Sequence, residues 1–156
     1  VHPEGVARIL ASHCPEQPEL TDAGWLHDTI EDTPTTADEI EALFGPEVRR
    51  LVVGVTKVDG VPWELPTDPD TMRLKAADAL DNVSESLDGL RRGEAVFERF
   101  EKGRAKVVYW REIADAVTSR RKNVVGEMTC EGWRNRTTID TIRCHNILRF
   151  KFSLAY

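Results

Sequence analysis

Along the first two thirds of the chain, apolar residues recur with a period near 3.6, the spacing that keeps one helix face against a core. In HPEGVARILASH, Val6, Ile9 and Leu10 share a face and predict a short amphipathic helix, ended by Cys14-Pro15 and Pro18. A second helix is predicted from about Leu20 to Glu31. TTADEIEALFG then sets Thr36 three residues before Glu39, a capping box, with Ile40, Leu43 and Phe44 as its apolar side and Gly45 at the exit. Pro46 suits a first helical position, and Val48, Leu51, Val52 and Val55 follow as a buried side. That β-branched run also fits a strand, but its length and proline start favour a helix. DGVPWELPTDPD, with three prolines and a glycine, reads as a loop. TMRLKAADALDNVSES places Met72, Ala76, Ala79, Leu80 and Val83 on one side. A long last helix is predicted from Glu94 to Arg121, broken near Gly103. Beyond Lys122 the period is lost, and short strands and irregular structure fit equally. The pattern predicts an all-α helical bundle with an undefined C-terminal tail.

Composition sets the scale. With 156 residues, 40% hydrophobic and 31% charged, the chain can bury one core, so a single domain over residues 1–121 and a basic tail over 122–156 are expected. Cys14, Cys130 and Cys144 have neither zinc-site spacing nor an even count, which suits a reducing cytoplasm. No run approaches the roughly 20 apolar residues of a membrane helix, and VHPEGVARIL lacks a signal-peptide layout. The start at Val1 fits a truncated N-terminus. Residues 1–117 carry 13 Lys+Arg against 24 Asp+Glu, and residues 118–156 carry 8 against 3, within a total charge of −6. The acidic body argues against nucleic acid as a partner, although the tail alone could meet phosphates.

The candidate chemistry lies in GWLHDTIEDT, residues 24–33. On a continuous helix His27 would sit over Glu31 and Asp28 over Asp32. His2 opens the first helix, and Asp78 lies on an alanine-rich helix in LKAADALDN. Taken singly, each has an ordinary reading: a histidine as a helix cap, Asp78 as a solvated carboxylate. Together, imidazole and carboxylate groups at a core edge repel or shift one another unless a cation neutralises them. With no thiolate nearby, they suit manganese, iron, zinc or magnesium with a water retained. Such an ion lowers the water's pKa, and Glu31 or Asp32 could take its proton. Asp81 and Asp88 read as surface carboxylates, His13 and His145 as structural or surface residues, and Trp25 as a neighbour of the site.

The order His…His-Asp…Asp resembles the signature of HD-domain metal-dependent phosphohydrolases. HPEGVARIL, LHDTIEDTPTTADEIEALFGPEVRRLVVGVTK and LKAADALDNV look like blocks of the RelA/SpoT-type guanosine tetraphosphate hydrolase domain and its small single-domain relatives, spanning residues 2–83. That resemblance implies a helical HD fold, with His2, His27, Asp28 and Asp78 as metal ligands, usually of Mn2+. It implies Glu31 and Asp32 as the acidic pair assisting the attacking water, and Asn82 as a nucleotide contact. Lys57 and Lys75 are candidate phosphate or structural partners. The implied reaction removes the 3′-pyrophosphate of a guanosine nucleotide in the stringent response, with a small nucleotide as the substrate; homo-oligomerisation stays open. Where the group commonly reads RLHN, this chain reads ALDN, so Ala79 and Asp81 remove positive charge and add a negative one. Rival readings are an HD phosphohydrolase of another nucleotide or small phosphorylated metabolite, and a non-catalytic HD regulatory module.

Overall fold

The computed structural model describes residues 1–62, 64–99 and 105–123. Seven α-helices follow one another: α1 His2–His13, α2 Pro18–Leu26, α3 Thr29–Asp32, α4 Ala37–Phe44, α5 Pro46–Val55, α6 Pro69–Arg91 and α7 Ala105–Asn123, with a 3-10 turn at Val96–Arg99. Among the described residues there is no strand. The chain divides into two compact units, Val1–Asp81 and Asn82–Tyr156, and the division falls inside α6. The expected break at Gly103, the tail over 122–156 beyond Asn123, Cys130, Cys144 and His145 lie outside the described residues. No described helix is long and apolar enough to cross a membrane.

In the first unit, α1 lies against α2, α2 against α5 and α4 against α5. The anticipated faces of α1 and α5 are buried: Val6 and Leu10 on the former, Val48, Leu51, Val52 and Val55 on the latter. Burying a side chain such as Leu10 or Leu20 stabilises by roughly 1.5–3 kcal/mol. Small residues set the spacing between α1 and α2. A Cβ at Gly24 would lie 2.9 Å from the Ala7 Cα, so the two backbones cross in near contact. That crossing brings the start of α1 towards the end of α2.

Local signals explain the boundaries. Thr36 accepts from the Glu39 amide while the Glu39 carboxylate accepts from the Thr36 amide, the reciprocal capping box that starts α4. Gly45, at φ 88°, ends α4 and leads directly into Pro46 at the start of α5, a conformation few other residues adopt cheaply. Of the apolar face expected on α4, only Ile40 is buried; Leu43 and Phe44, in its last turn, stay exposed.

Two differences from the sequence pattern bear on the site. The second helix does not run to Glu31: it stops at Leu26, and a separate turn, α3, begins at Thr29. His27 Nδ1–H donates to the Gly24 carbonyl at 2.9 Å, supplying with a side chain a partner for a carbonyl at the helix end. Glu31 is turned to Lys57 rather than to His27, whereas Asp28 stays one turn before Asp32, whose amide donates to the Asp28 carbonyl at 2.9 Å. On α6, Leu74, Ala77 and Asp78 are buried along with the expected Met72, Ala79 and Val83, while Ala76 and Leu80 are half-buried.

The start of α6 is capped by Asp68, whose Oδ2 accepts from the Thr71 amide at 2.8 Å and the Thr71 hydroxyl at 2.6 Å and meets Arg50 at 2.7 Å. Partial burial opposes ionisation, but the Thr71 and Arg50 contacts prevail and hold the Asp68 carboxyl at about 2, below its ordinary 3.8. Asp68→Ala is expected to cost about 1 kcal/mol in urea unfolding, the usual loss of a helix cap; the exposed Arg50 bridge adds little. Because the folded pKa is depressed, this contribution is present above pH 3.8 and fades as pH falls towards 2. Wild type and variant should therefore converge in acid.

In the second unit, Val83, Ser86 and Leu87 of α6, Val96, and Val107, Trp110 and Ile113 of α7 are buried. Asp88 is exposed and pairs with Arg91 at 2.6 Å, as expected of a surface carboxylate.

Candidate metal centre

Three helices of the first unit deliver the candidate ligands. His2 is the first residue of α1, His27 follows the last residue of α2, and Asp78 sits at mid-α6. Donor atoms of His2, His27 and Asp78 all lie within 4.8 Å of one another. The two imidazoles meet edge to face, with centroids 5.1 Å apart. Asp28 approaches the same cluster, its Oδ2 3.0 Å from His27 Nε2.

The polarity of each ring follows from its neighbours. The Gly24 carbonyl can only accept, so His27 carries its proton on Nδ1. In the neutral ring, Nε2 then presents a lone pair. That nitrogen is buried without a hydrogen bond, although the Asp28 carboxylate stands beside it. Two acceptors facing each other repel unless a cation, a proton or a metal, lies between them. His2 is arranged alike: Nδ1 lies 2.7 Å from Asp81 Oδ2, and Nε2 lies 3.2 Å from Asp78 Oδ1. Each ring thus has one nitrogen held by an acceptor and the other turned towards a carboxylate, the disposition of a histidine prepared for a metal. Imidazole nitrogen with carboxylate oxygen fits a borderline or hard divalent ion.

Electrostatics agree with this geometry. The hydrogen bond that protonated His2 donates to Asp78, with help from Asp81 and against burial, raises His2 to about 9. Burial opposes the charged form of His27, yet Asp28 raises it. Burial likewise opposes ionised Asp28, but His27 holds its carboxyl below the ordinary value. Asp78 is buried, which works against ionisation, and His2 and Lys75 nevertheless keep it well below the usual carboxylate range. The site is built to hold negative oxygens beside positive charge.

The remaining sequence-derived residues separate. Glu31 does not reach His27; its Oε1 accepts from the Lys57 backbone amide at 2.8 Å and its Oε2 meets Lys57 Nζ at 3.4 Å, tying α3 to the segment after α5. Asp32 is exposed at the end of α3. Asn82 is half-buried, one turn after Asp78 in sequence. Lys75 is buried with Nζ 2.7 Å from Asp78 Oδ2, a structural partner of the candidate ligand. Trp25 is 51% exposed. Asp81, expected at the surface, is instead part-buried against His2, because it lies on the same face of α6 as Asp78, three residues earlier. That i, i+3 relation was the available signal.

The HD domain family matches residues 1–92. A guanosine-3′,5′-bis(diphosphate) 3′-pyrophosphohydrolase of Danio rerio, MESH1, is 52% identical over 66 residues, which are 39% of this chain and 34% of that protein. MESH1 of Homo sapiens is 50% identical over 66 residues, 39% of this chain and 35% of that protein. A protein of the same enzymatic name from Aquifex aeolicus (strain VF5) is 41% identical over 96 residues, 53% of this chain and 14% of that one. The chain thus spans about a third, or less, of these relatives' length. Among solved structures, lmo0812 from Listeria monocytogenes EGD-e superposes with a TM-score of 0.62 and 32% identity, covering 74% of this chain and 79% of that one. With its helices, its clustered histidines and aspartates, and a family match over residues 1–92, this chain belongs to the HD-domain family, whose fold implies a divalent metal.

Proposed function

We propose that the chain is a metal-dependent phosphohydrolase that removes the 3′-pyrophosphate of guanosine tetraphosphate, with Mn2+ held by His2, His27, Asp28 and Asp78. The observation that carries this reading is the convergence of His2, His27 and Asp78 donor atoms within 4.8 Å, with Asp28 against the same imidazole. Relatives named as 3′-pyrophosphohydrolases support the substrate. When bound, the ion supplies Lewis acidity that lowers the pKa of water and neutralises phosphoryl charge.

The chain's own residues do the rest. The Gly24 carbonyl orients His27, and buried Lys75 fixes Asp78. Glu31, pinned to the Lys57 amide, orients the attacking water, and exposed Asp32 carries off its proton. Lys57, 49% exposed at its side chain, can leave Glu31 for a substrate phosphate, and Asn82 meets the nucleotide. Residues 1–121 form the working domain, and a cytoplasmic setting with soluble nucleotide suits it.

One observation favours a second reading. Where the alarmone hydrolases commonly carry arginine and histidine, Ala79 removes a positive charge and Asp81 adds a negative one, which suits a less charged phosphorylated substrate. Incubation with Mn2+ and guanosine tetraphosphate decides between them. Release of GDP and pyrophosphate is expected; turnover of other nucleotides alone, with orthophosphate released, contradicts the alarmone assignment. Bound Mn2+ with no turnover of any nucleotide identifies a non-catalytic module.

A further inference from the structure

We propose that Asp81 is the positioning residue of His2: its carboxylate accepts Nδ1–H and so commits Nε2 to the metal side, while Gly5 is kept bare to admit it. The proposal rests on the metal-site reading above. His2 needs such a holder, since it is the first residue of α1, where backbone restraint is weakest. The holder is close: His2 Nδ1 lies 2.7 Å from Asp81 Oδ2, with the two side chains 24% and 18% exposed. An ionised carboxylate can only accept, so the opposite tautomer would set a nitrogen lone pair against it.

Gly5 makes the independent case. It sits one turn after His2 and is buried inside α1, a position where glycine is disfavoured relative to alanine. A Cβ there would lie 2.0 Å from Asp81 Oδ1 and 2.8 Å from Oδ2. The missing side chain is thus a notch in α1 filled by the Asp81 carboxylate. Asp78 and Asp81, three residues apart on α6, then act on opposite nitrogens of one ring. The acidic residue that weakens the match to RLHN has a local task.

Mn2+ titration calorimetry on the full chain tests this. Asp81→Ala is expected to weaken Mn2+ binding about 10–100-fold, the usual effect of losing the partner behind a ligating histidine. Asp81→Asn should recover part of the loss, because its amide oxygen still accepts from Nδ1–H. Gly5→Ala should weaken binding similarly without touching a ligand, and the Gly5→Ala/Asp81→Ala double variant should lose no more than the worse single one. His2→Ala/Asp81→Ala should bind no worse than His2→Ala. Wild-type affinity in Asp81→Ala, or a full additional loss in the His2 double variant, would overturn the proposal. A second readout needs no metal: the His2 Nδ1–H proton should appear in 1H–15N NMR spectra as protected from exchange, and vanish in Asp81→Ala. Its persistence in that variant would overturn the positioning role. If the wild-type chain binds no Mn2+, the metal reading fails while this signal still decides the role of Asp81.

Discussion

Asp78→Ala is expected to lower the stability of the fold by about 3–5 kcal/mol and to abolish Mn2+ binding together. Lys75 is only 5% exposed, and its ammonium lies 2.7 Å from Asp78 Oδ2. Removing the carboxylate takes away the counter-charge 2.7 Å from a buried cation, which weakens the case for keeping that ammonium charged in the core. His2 loses its Nε2 partner in the same step. Against a typical total of about 5–15 kcal/mol, that loss consumes much of the margin. Asp78→Asn divides the two effects in part: its amide oxygen still accepts from Lys75 but carries no charge, so urea denaturation should show a smaller loss than Asp78→Ala, while calorimetry shows ion binding equally gone. An Asp78→Ala chain as stable as wild type would remove Lys75 and Asp78 from the account as a buried pair.

Asp28→Ala should produce the opposite profile, a folded protein that does not turn over. Its side chain is 41% exposed, and the residue caps the short turn α3 without a side-chain hydrogen bond, so the fold loses little. The ion, however, loses an oxygen ligand, and the Lewis-acid contribution to phosphoryl transfer is worth several kcal/mol, or about 10³-fold in rate. Pyrophosphate release from guanosine tetraphosphate should fall by at least about that factor, with the circular dichroism and unfolding midpoint nearly unchanged. Wild-type turnover by Asp28→Ala would exclude Asp28 from the ligand set. A large drop in midpoint with normal turnover of the folded fraction would make the residue structural.

Much of the fold was legible because it depends on local signals: the Thr36–Glu39 box, Gly45 followed by Pro46, and the four valine and leucine positions of α5 appear in the structure as read. The break at His27 was not legible, because it is a side chain, the imidazole donating to the Gly24 carbonyl, that takes over from the helix ladder. Periodicity counts apolar positions and cannot see that exchange. The same limit hid the fate of Glu31, whose partner Lys57 lies 26 residues away. His2, His27, Asp28 and Asp78 could be gathered from sequence by residue type and by resemblance to the HD pattern. Asp81 was passed over because an acidic residue on a polar helix is usually solvated. Its distinguishing mark, a glycine on another helix shaped to receive it, exists only in three dimensions.

The central claim is that His2, His27, Asp28 and Asp78 share one divalent ion. Anomalous diffraction recorded at the manganese edge from crystals grown with Mn2+ tests it most directly. A single anomalous peak is predicted, within bonding distance of both Nε2 atoms and of the Asp28 and Asp78 carboxylates. A peak at any other place, or none between these four side chains in well-ordered crystals, would contradict it.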